Sequence, residues 1–384
     1  MQYLDEIIKF AKQNEEHMIM LRRQLHRCPE IAYHEFETAR IVRAELDRLN
    51  IPYKECGTGT IAEIGSGPSR TVALRADIDA LPITEETGLD YSSCNPGFMH
   101  ACGHDCHTAM LLGAAAILTQ VKDRLPGPVR LVFQPAEEGG GGARGMIEGG
   151  AIENVSSIFC LHMQAGSPAG AFGTKTGLIH ASSDGFQVHI HGKSCHAAHP
   201  QGGVDAILIA AHTVLALQEI ISREIGAHDN AVLSIGRISG GKVRNIVCDE
   251  VTLDCTLRTL SEEKRQYIRQ RISDIVTGTA AMYRGSADIE YLQNYCTCYN
   301  DETETDFSIR LAQELFPDLP VTVEERSSMG GEDFGFYQQL IPGVKLYFKS
   351  GFEDGLHTPT FRVDESVLYR GAAFMAAIGV NRYL

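Results

Sequence analysis

Nowhere does this sequence stay apolar long enough to cross a membrane. The longest such run, Met110–Leu118, falls well short of the ~20 residues a spanning helix needs. Blocks of basic residues are missing too. Lys and Arg number 34 against 49 Asp and Glu, a formal net charge of −15. A surface that negative repels phosphate backbones and anionic lipid heads, so neither nucleic acid nor membrane is an expected partner. No secretion signal is legible at the start, where Asp5, Glu6, Lys9, Lys12, Glu15 and Glu16 interrupt the apolar residues of an amphipathic helix. The 11 cysteines are odd in number and irregular in spacing. A disulfide framework would leave one thiol over, which points to a reducing cytoplasm.

What is present is the composition of a globular enzyme, 43% hydrophobic and 22% charged, and 384 residues exceed one ordinary core. Helical spacing of Leu4, Ile7, Ile8, Ala11, Met18, Leu21 and Leu25, then of Ala39, Val42, Leu46 and Leu49, predicts two helices in residues 1–50. Strands are expected at Thr71–Ile78, Val129–Gln134 and Ser157–His162, with a helix over Thr108–Val121. That alternation implies a mostly parallel α/β sheet. Near residue 183 the texture changes. Phe186, Val188 and Ile190 alternate with Gln187, His189 and His191, as in a half-buried antiparallel strand. Further strands are expected at Ala231–Ile238, Val247–Arg258 and Ala287–Tyr291, with helices over Val204–Ser222 and Glu262–Tyr283. The α/β texture resumes after about residue 297. The reading is an α/β catalytic domain (1–183 and 297–384) with a mostly parallel central sheet, interrupted by an inserted α+β lid or dimerisation domain (184–296).

The segment Met99–His107 (MHACGHDCH) packs two thiols, three imidazoles and a carboxylate just before an apolar helix. Ligands two apart, such as Cys102 and His104, cannot share a helix face, so they belong on a loop able to wrap an ion, with Asp105 or Thr108 capping the helix. Glu137-Glu138 follows a strand and Pro135, where open α/β sheets place their sites. Adjacent carboxylates point apart, so one can ligate while the other faces a water. Gly140, Gly142 and Gly145 match a dinucleotide fingerprint, but the two glutamates would repel a pyrophosphate, so the glycines are read as permitting close backbone approach. His162 and His357 also follow expected strands. In the insertion, Cys195-His196-Ala197-Ala198-His199 offers a lid histidine as oxyanion donor, and Arg258 is a candidate carboxylate clamp, with Asn245 another polar group near a strand end.

LRADIDALP at 74–82, HACGHD at 100–105 and QPAEE at 134–138 resemble the amidohydrolase branch of the M20 metallopeptidases. That branch includes hippurate hydrolase, N-acyl-amino-acid amidohydrolases and plant auxin-conjugate hydrolases. His162, Gly192–Pro200, Asn245, Arg258-Thr259, Gly331–Phe334 and His357–Pro359 continue the match in order, from about residue 20 to the C-terminus. The resemblance implies Cys102, His104, Glu138, His162 and His357 as ligands of two divalent ions, Mn2+ or Zn2+, with the Cys102 thiolate bridging. It implies Glu137 as general base and His196 as a lid histidine that in several relatives reaches the partner subunit. Asn245 and Arg258 would bind substrate. The expected activity is hydrolysis of small N-acylated amino acids by a homodimer or higher homo-oligomer. The rivals are a dipeptidase or carboxypeptidase on the same scaffold, a thiol amidase using Cys102 or Cys195, and a non-catalytic metal sensor. Other M20 branches carry His-x-Asp where this chain has Arg75-Ala76-Asp77, which leaves Asp77 and Asp79 behind the ligands. Cys106 and Gln201 depart from the branch's usual residues.

Overall fold

The computed structural model describes residues 2–383. In chain order its elements are α1 (Gln2–Gln13), α2 (Glu15–Arg27), α3 (Phe36–Arg48), β1 (Tyr53–Cys56), β2 (Gly59–Ile64), β3 (Thr71–Asp77), α4 (His104–Gln120), β4 (Val129–Gln134), α5 (Gly142–Glu148), β5 (Val155–Gln164), β6 (Phe172–Thr174) and β7 (Gly177–His180). There follow β8 (Ser182–His191), α6 (Ala206–Glu219), β9 (Ala231–Gly240), β10 (Glu250–Thr259), α7 (Glu262–Met282), β11 (Ser286–Tyr295) and β12 (Cys298–Asn300). The chain ends with α8 (Glu302–Leu315), β13 (Val321–Val323), α9 (Gly335–Gln338), β14 (Gly343–Lys349) and α10 (Leu368–Asn381). Two compact units result. One comprises Met1–Ile179, Tyr299–Arg326 and Asp333–Leu384, and the other His180–Cys298 with Ser327–Glu332.

The first unit is built on an eight-stranded sheet in the order β1-β2-β4-β3-β5-β14-β6-β13. Its four central strands, β4, β3, β5 and β14, are parallel, and β1 and β2 add an antiparallel pair at one edge. Every residue of β3 is buried, as a central strand covered on both faces requires. Leu111, Leu112 and Ile117 of α4 share one hydrophobic core with Phe374, Ala377 and Ile378 of α10 and with Leu74, Leu131 and Phe159 of the sheet. Parallel strands send their carboxyl ends one way, so the loops after Asp77, Gln134 and Lys349, together with the last residues of β5, meet at one edge. Open α/β sheets place their sites there.

The N-terminal periodicity spans two helices rather than one, because the chain breaks at Asn14, whose amide turns back to donate to the Phe10 carbonyl at 2.8 Å. The helix expected from Thr108 begins four residues earlier, at His104. Gly103, at φ +83°, precedes it, and neither Asp105 nor Thr108 is the cap. The β1–β2 pair and helix α5 have no counterpart in the sequence reading. In the resumed α/β segment, α9 is only four residues long.

The second unit is an antiparallel sheet, β11-β8-β10-β9. Phe186, Val188 and Ile190 of β8 pack with Leu253 and Leu257 of β10, Ile209 of α6, and Ile268, Ile272 and Val276 of α7. Asp205 caps α6 through Ile207 and Leu208 N–H, and Ser261 caps α7 through Lys264 N–H, the oxygen-to-amide bonds that polar N-caps supply. The helical stretch Ala206–Glu224, at 19 residues and mean hydropathy 1.4, has the length and composition to cross a membrane. This corrects the expectation of no such stretch, since His212, Thr213 and Gln218 merely interrupt its apolar run. In this unit its Ile209, Ala210, Leu217 and Ile220 line the core, while Ile207, Leu208 and Leu215 are exposed.

Candidate metal centre

Cys102 just before α4, His104 at its first residue, Glu138 after β4, His162 near the end of β5 and His357 after β14 come together within the first unit. Cys102 Sγ lies 3.7 Å from His162 Nε2. Glu138 Oε1 stands 3.2 Å from His357 Nε2 and 3.8 Å from His104 Nε2. Donor atoms of Cys102, Glu138 and His357 fall within 4.8 Å of one another, as do those of His104, Glu137 and Glu138. Glu138 is the corner the two groups share. Gly103 allows the loop to close, since a Cβ there would sit 2.7 Å from Met163 Cγ.

Hydrogen bonds leave only some of the imidazole nitrogens for an ion. His104 Nδ1 sits 2.8 Å from the Asp79 carbonyl and 3.2 Å from its carboxylate. That keeps a proton on Nδ1 and leaves Nε2, buried and without a hydrogen-bond partner, facing Glu138. His162 Nδ1 lies 2.7 Å from the Met163 carbonyl, which turns Nε2 toward Cys102. His107 belongs with Asp77, His104 and His162 in a further group of potential ligands, yet both its nitrogens are committed. Nδ1 meets Asp77 Oδ1 at 2.5 Å and Nε2 accepts the Met163 N–H at 2.7 Å. A ring with both nitrogens engaged has no lone pair for a cation. His107 instead fixes the backbone next to His162.

The electrostatics suit a cation. Burial, then the charges of Glu138, Glu137 and Asp77, push the Cys102 thiol well above its usual range. Burial pulls His104 down, yet Asp77, Asp79 and Glu138 push it up to about 10. The Glu138 carboxylate raises His357. Excess negative charge in a dry pocket is what divalent cations offset. The buried His104 Nε2 and Glu138 Oε1 without hydrogen-bond partners, beside a thiol and imidazoles, fit zinc or manganese chemistry.

Asp79 does more than lie behind the ligands. Its carboxylate also accepts the Glu138 N–H at 3.0 Å, so one side chain ties two donors together. Arg22 and His26 had gone unnoticed. Both are buried and grip Asp105, the neighbour of His104, at 2.7 and 2.8 Å. Their signal was two basic residues at i, i+4 on the apolar face of α2. Asp333 accepts from Arg75 at 2.9 Å, Gln134 at 2.7 Å and the Ala143 N–H at 3.0 Å, joining β3, β4 and α5. Cys106 lies in the hydrophobic core, so that departure concerns packing, and Gln201 is exposed.

In the second unit His196 is exposed. Its Nδ1 accepts the Ala198 N–H at 3.1 Å, so the neutral ring carries its proton on Nε2. Asn245 is its neighbour: the Ala197 N–H donates to the Asn245 carbonyl at 3.0 Å. Arg258, near the end of β10, is half-buried, and desolvation lowers its pKa.

Residues 73–380 match the peptidase family M20/M25/M40. The chain belongs to that family. It is 38% identical over 364 residues to the N-acetyl-L-cysteine deacetylase of Bacillus subtilis, covering 94% of this chain and 87% of the relative. It is also 38% identical to IAA-amino acid hydrolase ILR1-like 4 of Arabidopsis thaliana, over 99% of this chain and 89% of that one. Among solved structures, the Bacillus subtilis YXEP protein, described as a dinuclear metal binding peptidase from the M20 family, superposes with a TM-score of 0.81 at 34% identity. That match covers 97% of this chain and 99% of the other. The M20 chain described here is accordingly a hydrolase, with an α/β domain interrupted by an inserted one and a donor cluster suited to two metal ions.

Proposed function

We propose that this chain is a metal-dependent amidohydrolase that removes the acyl group from N-acylated amino acids. The observation that carries the reading is Glu137, a buried carboxylate whose oxygen lies within 4.8 Å of donor atoms of His104 and Glu138. Cys102, His104, Glu138, His162 and His357 would hold two ions, Mn2+ or Zn2+. When bound, such ions polarise a carbonyl and acidify water. Glu137 takes a proton from the attacking water and returns it to the leaving amine. His196, with its proton on Nε2, donates to the developing oxyanion. Arg258, without an ion pair among the described residues and half-buried, holds the carboxylate of the amino acid, with Asn245 beside the His196 loop assisting. The inserted unit serves as lid and as the dimer contact. The unpaired edge of β9 and the exposed Ile207, Leu208 and Leu215 of α6 support a homodimer. None of the described cysteines is in a disulfide, in keeping with the cytoplasm.

A panel of acetyl, benzoyl and longer-chain acyl-amino acids, assayed with Mn2+ or Zn2+ beside free dipeptides, tests the substrate class. Faster turnover of dipeptides would make the chain a peptidase, the word used of the YXEP structure. Turnover that survives chelation would favour a thiol nucleophile instead.

A further inference from the structure

Glu137 and Glu138 project from a turn whose geometry calls for an explanation. Ala136, fully buried, sits in the left-handed region at φ +55°, a conformation costly for any residue with a Cβ. Such a residue persists only where its surroundings over-determine it. The turn closes on itself through Gly140 N–H and Gly142 N–H, both donating to the Ala136 carbonyl at 3.2 and 3.1 Å. Gly142 cannot be replaced, since a Cβ there would lie 1.8 Å from the Pro135 carbonyl oxygen. Those bonds leave the Ala136 N–H and the Gly140 carbonyl to be met from outside.

Both partners come from one distant segment. Glu35 Oε1 accepts the Ala136 N–H at 2.9 Å, and Tyr33 Oη donates to the Gly140 carbonyl at 2.9 Å. The two contacts straddle Glu137 and Glu138. Glu35 is itself locked. Its Oε1 also accepts the Tyr33 N–H at 3.0 Å, and its Oε2 accepts the Thr58 hydroxyl at 2.6 Å. The carboxylate is fully buried, and burial raises its pKa.

Position and role diverge at this residue. Glu35 occupies the N-cap of α3 but makes no capping bond. Glu30 does that instead, its carboxylate accepting Glu37 N–H at 3.0 Å and Thr38 N–H at 2.9 Å. The helix start is thereby satisfied by one glutamate while a second is turned inward to the loop after β4. Burying a carboxylate for no gain would be costly, and the bonds it makes all serve the turn or the segment that holds it.

We infer that Tyr33 and Glu35 form a clamp that positions Glu137 and Glu138, setting the aim of the base and the reach of the ligand. This rests on reading Glu137 as the base and Glu138 as a ligand. Tyr33 and Glu35 are positioning residues, touching the turn and not the reacting atoms.

The test compares Tyr33→Phe, Glu35→Gln and Glu35→Ala with wild type. The readouts are kcat and KM per metal-loaded site on an N-acyl-amino acid, and the Zn2+ dissociation constant by chelator competition. Tyr33 is 53% exposed, so its phenylalanine variant folds normally and loses only one hydrogen bond, lowering kcat about fivefold at constant KM. Glu35→Ala lowers kcat about 100-fold, the cost of a base misplaced by an ångström. It also weakens Zn2+ binding about tenfold, as loss of a group supporting a ligand does. Glu35→Gln keeps an oxygen for the two N–H groups and recovers most of both losses, which a general loss of stability would not allow. Wild-type kcat in Tyr33→Phe, or a glutamine variant no better than alanine, would overturn the clamp. The Zn2+ measurement uses no substrate, so an inactive wild type would sink the deacylase reading while leaving the clamp to be judged on metal affinity.

Discussion

The two units hold their candidate residues in opposite ways. In the first, His104, Asp77, Asp79 and Asp333 are buried, and each is tied to other buried groups. In the second, His196 and Asn245 are exposed, on two loops joined to each other by backbone contacts. A donor set braced by buried groups, with His104 Nε2 left open and only His357 exposed among its five members, is largely preorganised, so it spends little free energy on ordering when its ion or substrate arrives. An exposed imidazole contributes only by meeting something outside its own fold. Changes in the first unit should therefore affect chemistry and stability together, and changes in the second should affect chemistry alone.

The largest effect expected is that of Glu137→Gln, which removes the base and keeps the shape. Turnover should fall by roughly 100- to 10,000-fold, with metal content by atomic absorption unchanged. Retained turnover would refute the role. Next is Arg22→Ala. Removing one partner of a buried ion pair costs about 3–5 kcal/mol, and here it leaves Asp105 with His26 alone, beside His104. Urea unfolding should show that loss, and a change under 1 kcal/mol would mean the network is dispensable. His196→Ala sharpens the contrast. A lost oxyanion donor costs about 100-fold in kcat, while the unfolding midpoint stays put. A matching drop in stability would erase the distinction between the units.

The smallest effect is on pH dependence. Burial raises Glu85, but hydrogen bonds from His26, the Ser93 N–H and Thr87 outweigh it and hold the carboxyl at about 2 against its ordinary 4.5. A depressed carboxyl stabilises the fold above its unfolded value and loses that contribution as pH falls through the folded one. The stability gap between wild type and Glu85→Gln should thus be full at pH 6 and shrink as pH falls from about 4.5 toward about 2. A gap independent of pH would show that His26 does not hold Glu85 as an ion.

Much of this was legible in the residues, for a local reason. Alternation at Phe186, Val188 and Ile190 announces a strand with one buried face, because side chains on a strand repeat every two residues. The β1–β2 pair escaped because Tyr53–Cys56 is polar and short and pairs at a sheet edge. Its signal was Gly57, at φ +61° in the turn between the strands. Helix α5 escaped because its glycines looked like loop; of Gly140, Gly142 and Gly145, the first two do meet close neighbours where a Cβ would stand, and Gly145 meets none.

The sequence by itself determined the chemistry on offer: thiol, imidazoles and paired carboxylates at the ends of strands, in an order shared with one family. It could not decide among the histidines of His100–His107. Only the folded chain shows that His107 is committed to Asp77 and Met163 while His104 keeps Nε2 facing Glu138. Nor could it join Glu35 to Ala136, or Arg22 to Asp105, across such separations. Periodicity records which face a residue presents, whereas a hydrogen bond between distant segments exists only once packing has brought the two together.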